Sequence, residues 1–95
     1  MHVNYATAKV ERSCTVDREM TKTFDAVMCK SLKLRLGELR AASTTEDLLL
    51  GTGRWEQLVG NRAGHWSARL TKNWRLLVRE NTTSDVTVTE IIDYH

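Results

Sequence analysis

His65-Trp66-Ser67-Ala68-Arg69-Leu70-Thr71-Lys72-Asn73-Trp74-Arg75-Leu76-Leu77-Val78-Arg79 decides the fold. Apolar and polar residues alternate on both sides of Thr71-Lys72-Asn73, which is the period of strands. A three-residue loop at 71–73, with Asn73 left-handed, sets Leu70 opposite Trp74, Ala68 opposite Leu76 and Trp66 opposite Val78. That face is wholly apolar. The other face pairs Arg69 with Arg75, Ser67 with Leu77 and His65 with Arg79. A two-residue loop would set arginine against core leucine, so the pattern demands the odd loop. The stretch is an antiparallel hairpin with one buried face and one basic face.

Working outward, the period stays at two up to about residue 93 and changes before Gly53. Strands are expected at 54–59, 64–71, 73–79 and 86–93. Gly51-Thr52-Gly53 is a connector. Ser43 to Asp47 reads as a turn with a capping signal, opening one helical turn through Leu50. Earlier, Met20, Phe24 and Val27, then Met28, Leu32, Leu36 and Leu39, recur at spacings of three and four. This apolar stripe predicts helix over 18–42, as one or two helices, with Asp17 and Asp25 as N-caps. Val3 and Tyr5, alternating with His2 and Asn4, predict a first strand. The order is an N-terminal strand, one or two helices, then a mainly antiparallel sheet: an α+β fold.

The chain has 95 residues, enough for one domain, 1–95, and 41% of them are hydrophobic, enough for one modest core. No apolar run approaches the length of a membrane span, and the first residues lack the apolar stretch of a signal peptide. A cytoplasmic protein is expected. Cys14 and Cys29 have no zinc spacing and read as two small buried residues. Net charge is only +2, but Arg54, Arg62, Arg69, Lys72, Arg75 and Arg79 fall in a segment whose one acid is Glu56. That distribution marks a face for an anionic ligand, with an ordinary solvated surface as the plain alternative.

Two arginines directly opposite each other repel, so Arg69 and Arg75 call for an anion or a carboxylate between them. The last strand can supply one. With Val86 and Val88 in the core, Asp93 and His95 share the arginine face, Tyr94 points away, and Glu90 falls on the core side. The pair Ile91-Ile92 hints at a bulge, which would swap these terminal assignments. RNA is the first phosphate-bearing ligand to consider, with Arg54, Arg62, His65, Arg69, Lys72 and Arg79 as candidate contacts. Asp93 could equally be an ion partner and no more. Trp66 and Trp74 read as core, and Trp55, between Arg54 and Glu56, is open to either reading. No motif for a metal or a cofactor is present.

Arg-x-Gly-x-Trp-Ser-x-Arg at 62–69, Asn-Trp-Arg at 73–75 and Ile-Ile-Asp-Tyr-His at 91–95 resemble the HigB-like branch of the RelE/ParE toxins, the plasmid-maintenance killer proteins. The resemblance implies the toxin of a type II toxin–antitoxin pair: a metal-independent, ribosome-dependent messenger-RNA endonuclease that inhibits translation. It implies a cognate antitoxin of helix-turn-helix type, with the ribosome and messenger RNA as further partners and no cofactor. Carried over by position, Arg75 stabilises charge at the scissile phosphate, while Asp93, Tyr94 and His95 position the nucleotide and move protons. On the strand at 54–59 some relatives carry histidine and lysine where this chain has Glu56 and Val59. Two other readings share the sequence. A ParE-like gyrase poison has the same fold but no need of the terminal trio. A non-catalytic RNA-binding module is served by the basic hairpin alone.

Overall fold

The computed structural model describes residues 1–94, and the expected site residue His95 lies outside them. Chain order is β1 (His2–Tyr5), α1 (Ala8–Thr15), α2 (Asp17–Thr23), α3 (Ala26–Ala41), a 3₁₀ helix (Thr45–Leu50), β2 (Glu56–Gln57), a 3₁₀ turn (Gly60–Arg62), β3 (His65–Arg69), β4 (Trp74–Thr82) and β5 (Asp85–Asp93). The five strands form one sheet in the order β1-β5-β4-β3-β2. Only the β1–β5 pairing is parallel. This is the expected α+β architecture. None of the described helices is long and apolar enough to cross a membrane.

The helices show where local signals compete. Asp25 caps α3 as expected, its carboxylate accepting from the Met28 amide at 2.9 Å. Asp17 does not cap: it lies inside the first turn of α2, after Val16, and its carboxylate pairs with Lys33 at 3.3 Å. Helix α1 falls outside the expected span. Its start is marked by Thr7, whose hydroxyl accepts from the Val10 amide at 3.1 Å. The break at Phe24-Asp25 gives α3 its own phase. Met28, Leu32, Leu36 and Leu39 then face the sheet, and Val27, one step off that stripe, is 65% exposed. The turn at 43–47 closes as read, with the Asp47 carboxylate accepting from the Ser43 and Thr44 amides at 3.0 and 3.2 Å.

The hairpin register is the expected one at every pair from His65↔Arg79 to Arg69↔Arg75. The loop chemistry differs. Asn73 is not left-handed; the non-glycine residue with positive φ is Arg54, at 50°. Backbone and side chains close the loop together: the Leu70 and Thr71 amides donate to the Trp74 carbonyl at 3.0 and 3.4 Å. Trp74 N donates to the Thr71 hydroxyl at 3.4 Å, and Arg75 Nη1 donates to the carbonyls of Thr71, Lys72 and Trp74 at 3.0, 3.1 and 3.0 Å. The strand expected at 54–59 shortens to Glu56–Gln57. Trp55 turns into the core and donates its indole N–H to Glu38 at 3.2 Å, so Trp55 itself is anchored on α3.

The bulge exists, but at Thr89 rather than Ile91-Ile92. Leu77 pairs with Glu90 while Val78 pairs with Val88, which leaves Thr89 unopposed. Val86, Val88 and Ile91 therefore all reach the helix side. There they join Trp66, Ala68, Leu70, Leu76 and Val78 against Met20, Leu32, Leu36 and Leu39. Each such side chain contributes roughly 1.5–3 kcal/mol by leaving water. Trp55 and Trp66 are buried and Trp74 is half-buried, edge-on to Phe24 at 6.1 Å, so all three serve the core.

Loss of a capping carboxylate destabilises by roughly 0.5–2 kcal/mol, and an exposed ion pair contributes little. Asp25→Ala is therefore expected to lower stability by about 1 kcal/mol, and Asp17→Ala by less than about half of that. Urea unfolding of both variants checks this; equal losses would contradict the capping assignment.

Candidate functional site

The sheet side away from the helices is built from cross-strand rows. In the first, Arg69 is opposite Arg75, and Arg75 is opposite Ile92. The Gly53 carbonyl accepts from the Arg69 amide at 2.9 Å, which brings Arg54 alongside this row. The second row runs Glu56, Ser67, Leu77, Glu90. The third runs His65, Arg79, Thr87, Asn4. These rows gather four expected contacts, Arg54, His65, Arg69 and Arg79, on β3, β4 and the chain leading into β2. Lys72 is exposed at the hairpin tip, one end of the same face. Arg62, before β3, reaches over to β5 and pairs with Glu90 at 3.2 Å.

The Thr89 bulge reassigns the end of β5. Glu90, expected in the core, is turned to the arginine side. Asp93, expected there, is opposite Trp74, a residue of the helix-side layer. Tyr94 takes the place at Arg75: its amide donates to the Asn73 carbonyl at 2.7 Å, and its ring centroid is 6.0 Å from the Arg75 guanidinium carbon. That is the outer limit of a cation–π contact. Arg75 is thus held on two sides, by the loop carbonyls and by the phenol ring. Its guanidinium is fixed in place before any ligand arrives, a property useful in stabilising developing charge.

The third row carries polar groups that the sequence did not single out. Arg79 Nε donates to Asn81 Oδ1 at 3.3 Å. Asn81 Nδ2 donates to Asp85 at 2.9 Å and to the Thr87 hydroxyl at 2.8 Å. Asn4 Nδ2 donates to the same Asp85 oxygen at 2.8 Å, and His2 Nε2 is 2.9 Å from Asn4 Oδ1. The network orients Arg79 from behind. Nearby, His65 Nδ1 is buried with no hydrogen-bond partner among the described residues. A buried imidazole nitrogen without a partner is costly.

Cys14 and Cys29 are both buried free thiols. Burial pushes the Cys14 thiol up to about 11, against a smaller downward pull from Arg40. It stays protonated at neutral pH and is no nucleophile. Among the described residues no three histidines, cysteines or carboxylates converge as metal ligands would.

No protein-family model matches the chain, and no curated protein matches it. Solved structures do. The YoeB/ParE toxin from Agrobacterium tumefaciens is 21% identical, with a TM-score of 0.68 and full coverage of both chains. YoeB in the heterotetrameric YoeB–YefM toxin–antitoxin complex from Staphylococcus aureus is 21% identical, with a TM-score of 0.65, covering 100% of this chain and 97% of that one. A YafQ variant from E. coli is 15% identical, with a TM-score of 0.60, covering 96% and 90%. The chain shares the fold of these YoeB and YafQ structures over 96–100% of its length.

The three carbonyl contacts of Arg75 give its replacement a stability cost that the sequence alone does not foresee. Hydrogen bonds from a charged donor are worth roughly 1.5–3 kcal/mol. Arg75→Ala is expected to lose about 1–3 kcal/mol in urea unfolding, and a loss below about 0.5 kcal/mol would show that the loop closes without it.

Proposed function

We propose that this protein is the toxin of a type II toxin–antitoxin pair, a metal-independent endonuclease of messenger RNA that works on the ribosome and blocks translation. The observation that carries the reading is Arg75, pinned by the hairpin loop and by Tyr94 on a sheet face lined with arginines, in a fold shared with YoeB over the whole chain and with YafQ over 96% of it. The Arg-x-Gly-x-Trp-Ser-x-Arg motif favours the HigB-like branch of the RelE/ParE toxins. A helix-turn-helix antitoxin is the proposed partner, in a cytoplasmic setting, with no cofactor.

The reaction is internal transesterification. The ribose 2′-oxygen attacks the adjacent phosphorus, the bond to the 5′-oxygen breaks, and a 2′,3′-cyclic phosphate remains. A base takes the 2′ proton, an acid protonates the leaving oxygen, and cations stabilise the five-coordinate phosphorus. In this reading Arg75 supplies the stabilising charge. Tyr94 packs the nucleotide against Arg75, His95 moves a proton, and Asp93, turned to the helix side, keeps the strand end that presents Tyr94 in place. Glu56, in the row next to Arg69, offers a carboxylate base where some relatives carry histidine. Arg54, Arg62, His65, Arg69, Lys72 and Arg79 hold flanking phosphates. Alignment by the ribosome supplies much of the rate, since orientation alone is worth roughly 7–11 kcal/mol.

Translation-coupled cleavage of a messenger RNA tests this. His95→Ala, Asp93→Asn and Glu56→Gln are each expected to slow cleavage, and a proton-transfer group by about 10²–10⁴-fold. Arg75→Lys retains charge but not the planar fork, and is expected to lose at least tenfold. Undiminished cleavage by all four variants would place the site elsewhere. Growth arrest with no cleavage, and inhibited supercoiling by gyrase, would establish the ParE-like alternative. RNA binding without cleavage or arrest would leave a binding module.

A further inference from the structure

The middle row of the open face is buried at its centre, although the core helices pack against the other side. Leu77 is 0% exposed and Ser67 5% exposed. Leu77 faces away from the core layer formed by its strand neighbours Leu76 and Val78, and it is absent from the cluster those residues form. At the β5 end of this row Glu90, the cross-strand neighbour of Leu77, is held in an ion pair by Arg62 from the turn before β3. Both partners are themselves exposed, at 42% and 46% of their side chains. Two features of the chain create the pair. The bulge at Thr89 turns Glu90 to this side. Gly60 and Gly64, at φ 68° and 87°, bracket Arg62 in backbone that other residues rarely adopt.

The position matters. Leu77 lies between the Arg69–Arg75 pair and the His65–Arg79 pair. Arg75 and Arg79 are four residues apart on one strand, about 13 Å at the strand rise. An extended RNA strand held at both ends must pass over Leu77, beside the paired Glu90. An exposed ion pair is weak, worth at most about a factor of five, whereas a guanidinium grips a phosphate through charge-assisted, often two-pronged, hydrogen bonds. The pair is therefore readily exchanged.

We propose that the Arg62–Glu90 pair is the closed form of a nucleotide subsite: an RNA phosphodiester displaces the Glu90 carboxylate from Arg62, and the base of that nucleotide settles over Leu77. Leu77 supplies an apolar floor, Arg62 the phosphate contact. Glu90 acts as a stand-in anion that RNA must outcompete. This rests on the RNA-cleaving reading of the same face and adds to it the place where the substrate's path is blocked and opened.

The test uses the full chain and an eight-nucleotide single-stranded RNA of mixed sequence with 2′-O-methyl riboses, which cannot be cleaved. Affinity is read by fluorescence anisotropy. Contacts are read by NMR on protein with labelled Leu methyls and Glu carboxyl carbons. Binding is expected to bring base protons within NOE range of the Leu77 methyls and to shift the Glu90 carboxyl resonance. Glu90→Gln is expected to bind roughly two- to fivefold tighter, the factor an exposed ion pair is worth. Arg62→Gln is expected to bind more weakly, with thermal unfolding showing both variants folded. Binding by Glu90→Gln alone would mean the closed pair is stronger than supposed, and supports the subsite. RNA that binds without touching Leu77 or shifting Glu90 overturns the subsite and leaves the RNA reading standing. No binding by wild type or Glu90→Gln overturns the subsite, while translation-coupled cleavage decides the RNA reading separately.

Discussion

Strand β4 is hydrogen-bonded along both edges, to β3 and to β5, and its two-residue period is therefore imposed on its neighbours. Leu76 and Val78 face the helices; Arg75, Leu77 and Arg79 face away. Because β3 and β5 must match this alternation, the core and the basic face are two consequences of one register. A slip of one residue would bury Arg75 and Arg79 among leucines and expose the side chains that hold α3. The apolar half of β4 thus fixes the arginines, and stability of the core is also geometric precision at the site.

Strand β5 meets that constraint only by breaking its own period. Val86 and Val88 suit the core, and Ile91 does too, but the parity of 88 and 91 differs. Thr89 absorbs the mismatch by bulging out, donating its hydroxyl to the Leu77 carbonyl at 3.2 Å. The step that brings Ile91 inward carries Glu90 outward, and it puts Tyr94 rather than Asp93 on the Arg75 side. The contents of the arginine face are set by the hydrophobic demand of the opposite face.

The same logic explains what was legible in the sequence. The hairpin at 65–79 could be read pair by pair, because three apolar pairs and three arginines leave one consistent loop length. The α3 cap at Asp25 was legible because its carboxylate stands directly before an apolar stripe. A bulge in β5 was signalled by the misfit of Glu90, but its position was not, since Thr89 and the isoleucines satisfy the pattern about equally. Helix α1 was hidden because Val10 and Cys14 are its few inward residues, too short a stripe to stand out. The closure of the 71–73 loop by Arg75 was hidden for a different reason. Sequence parity assigns a side chain to a face, but a guanidinium on a long stem can turn back to its own loop.

That double engagement bears on how a basic face is tolerated in a nearly neutral chain. Arg69 and Arg75 stand side by side, and repulsion between them would weaken the hairpin that carries them. Arg75 offsets this by donating to three carbonyls and lying against Tyr94, so its charge is partly balanced by peptide dipoles and a ring face. Arg79 is steadied by Asn81, and Arg62 by Glu90. These are graded restraints. The carbonyls at Arg75 belong to the main chain and cannot leave, so Arg75 stays fixed. The Glu90 carboxylate is a side chain at the surface and can leave, and in the proposed subsite Arg62 exchanges it for a phosphate. A face of this kind is kept stable without a ligand by contacts that weaken away from Arg75, and a polyanion would displace the outer ones first.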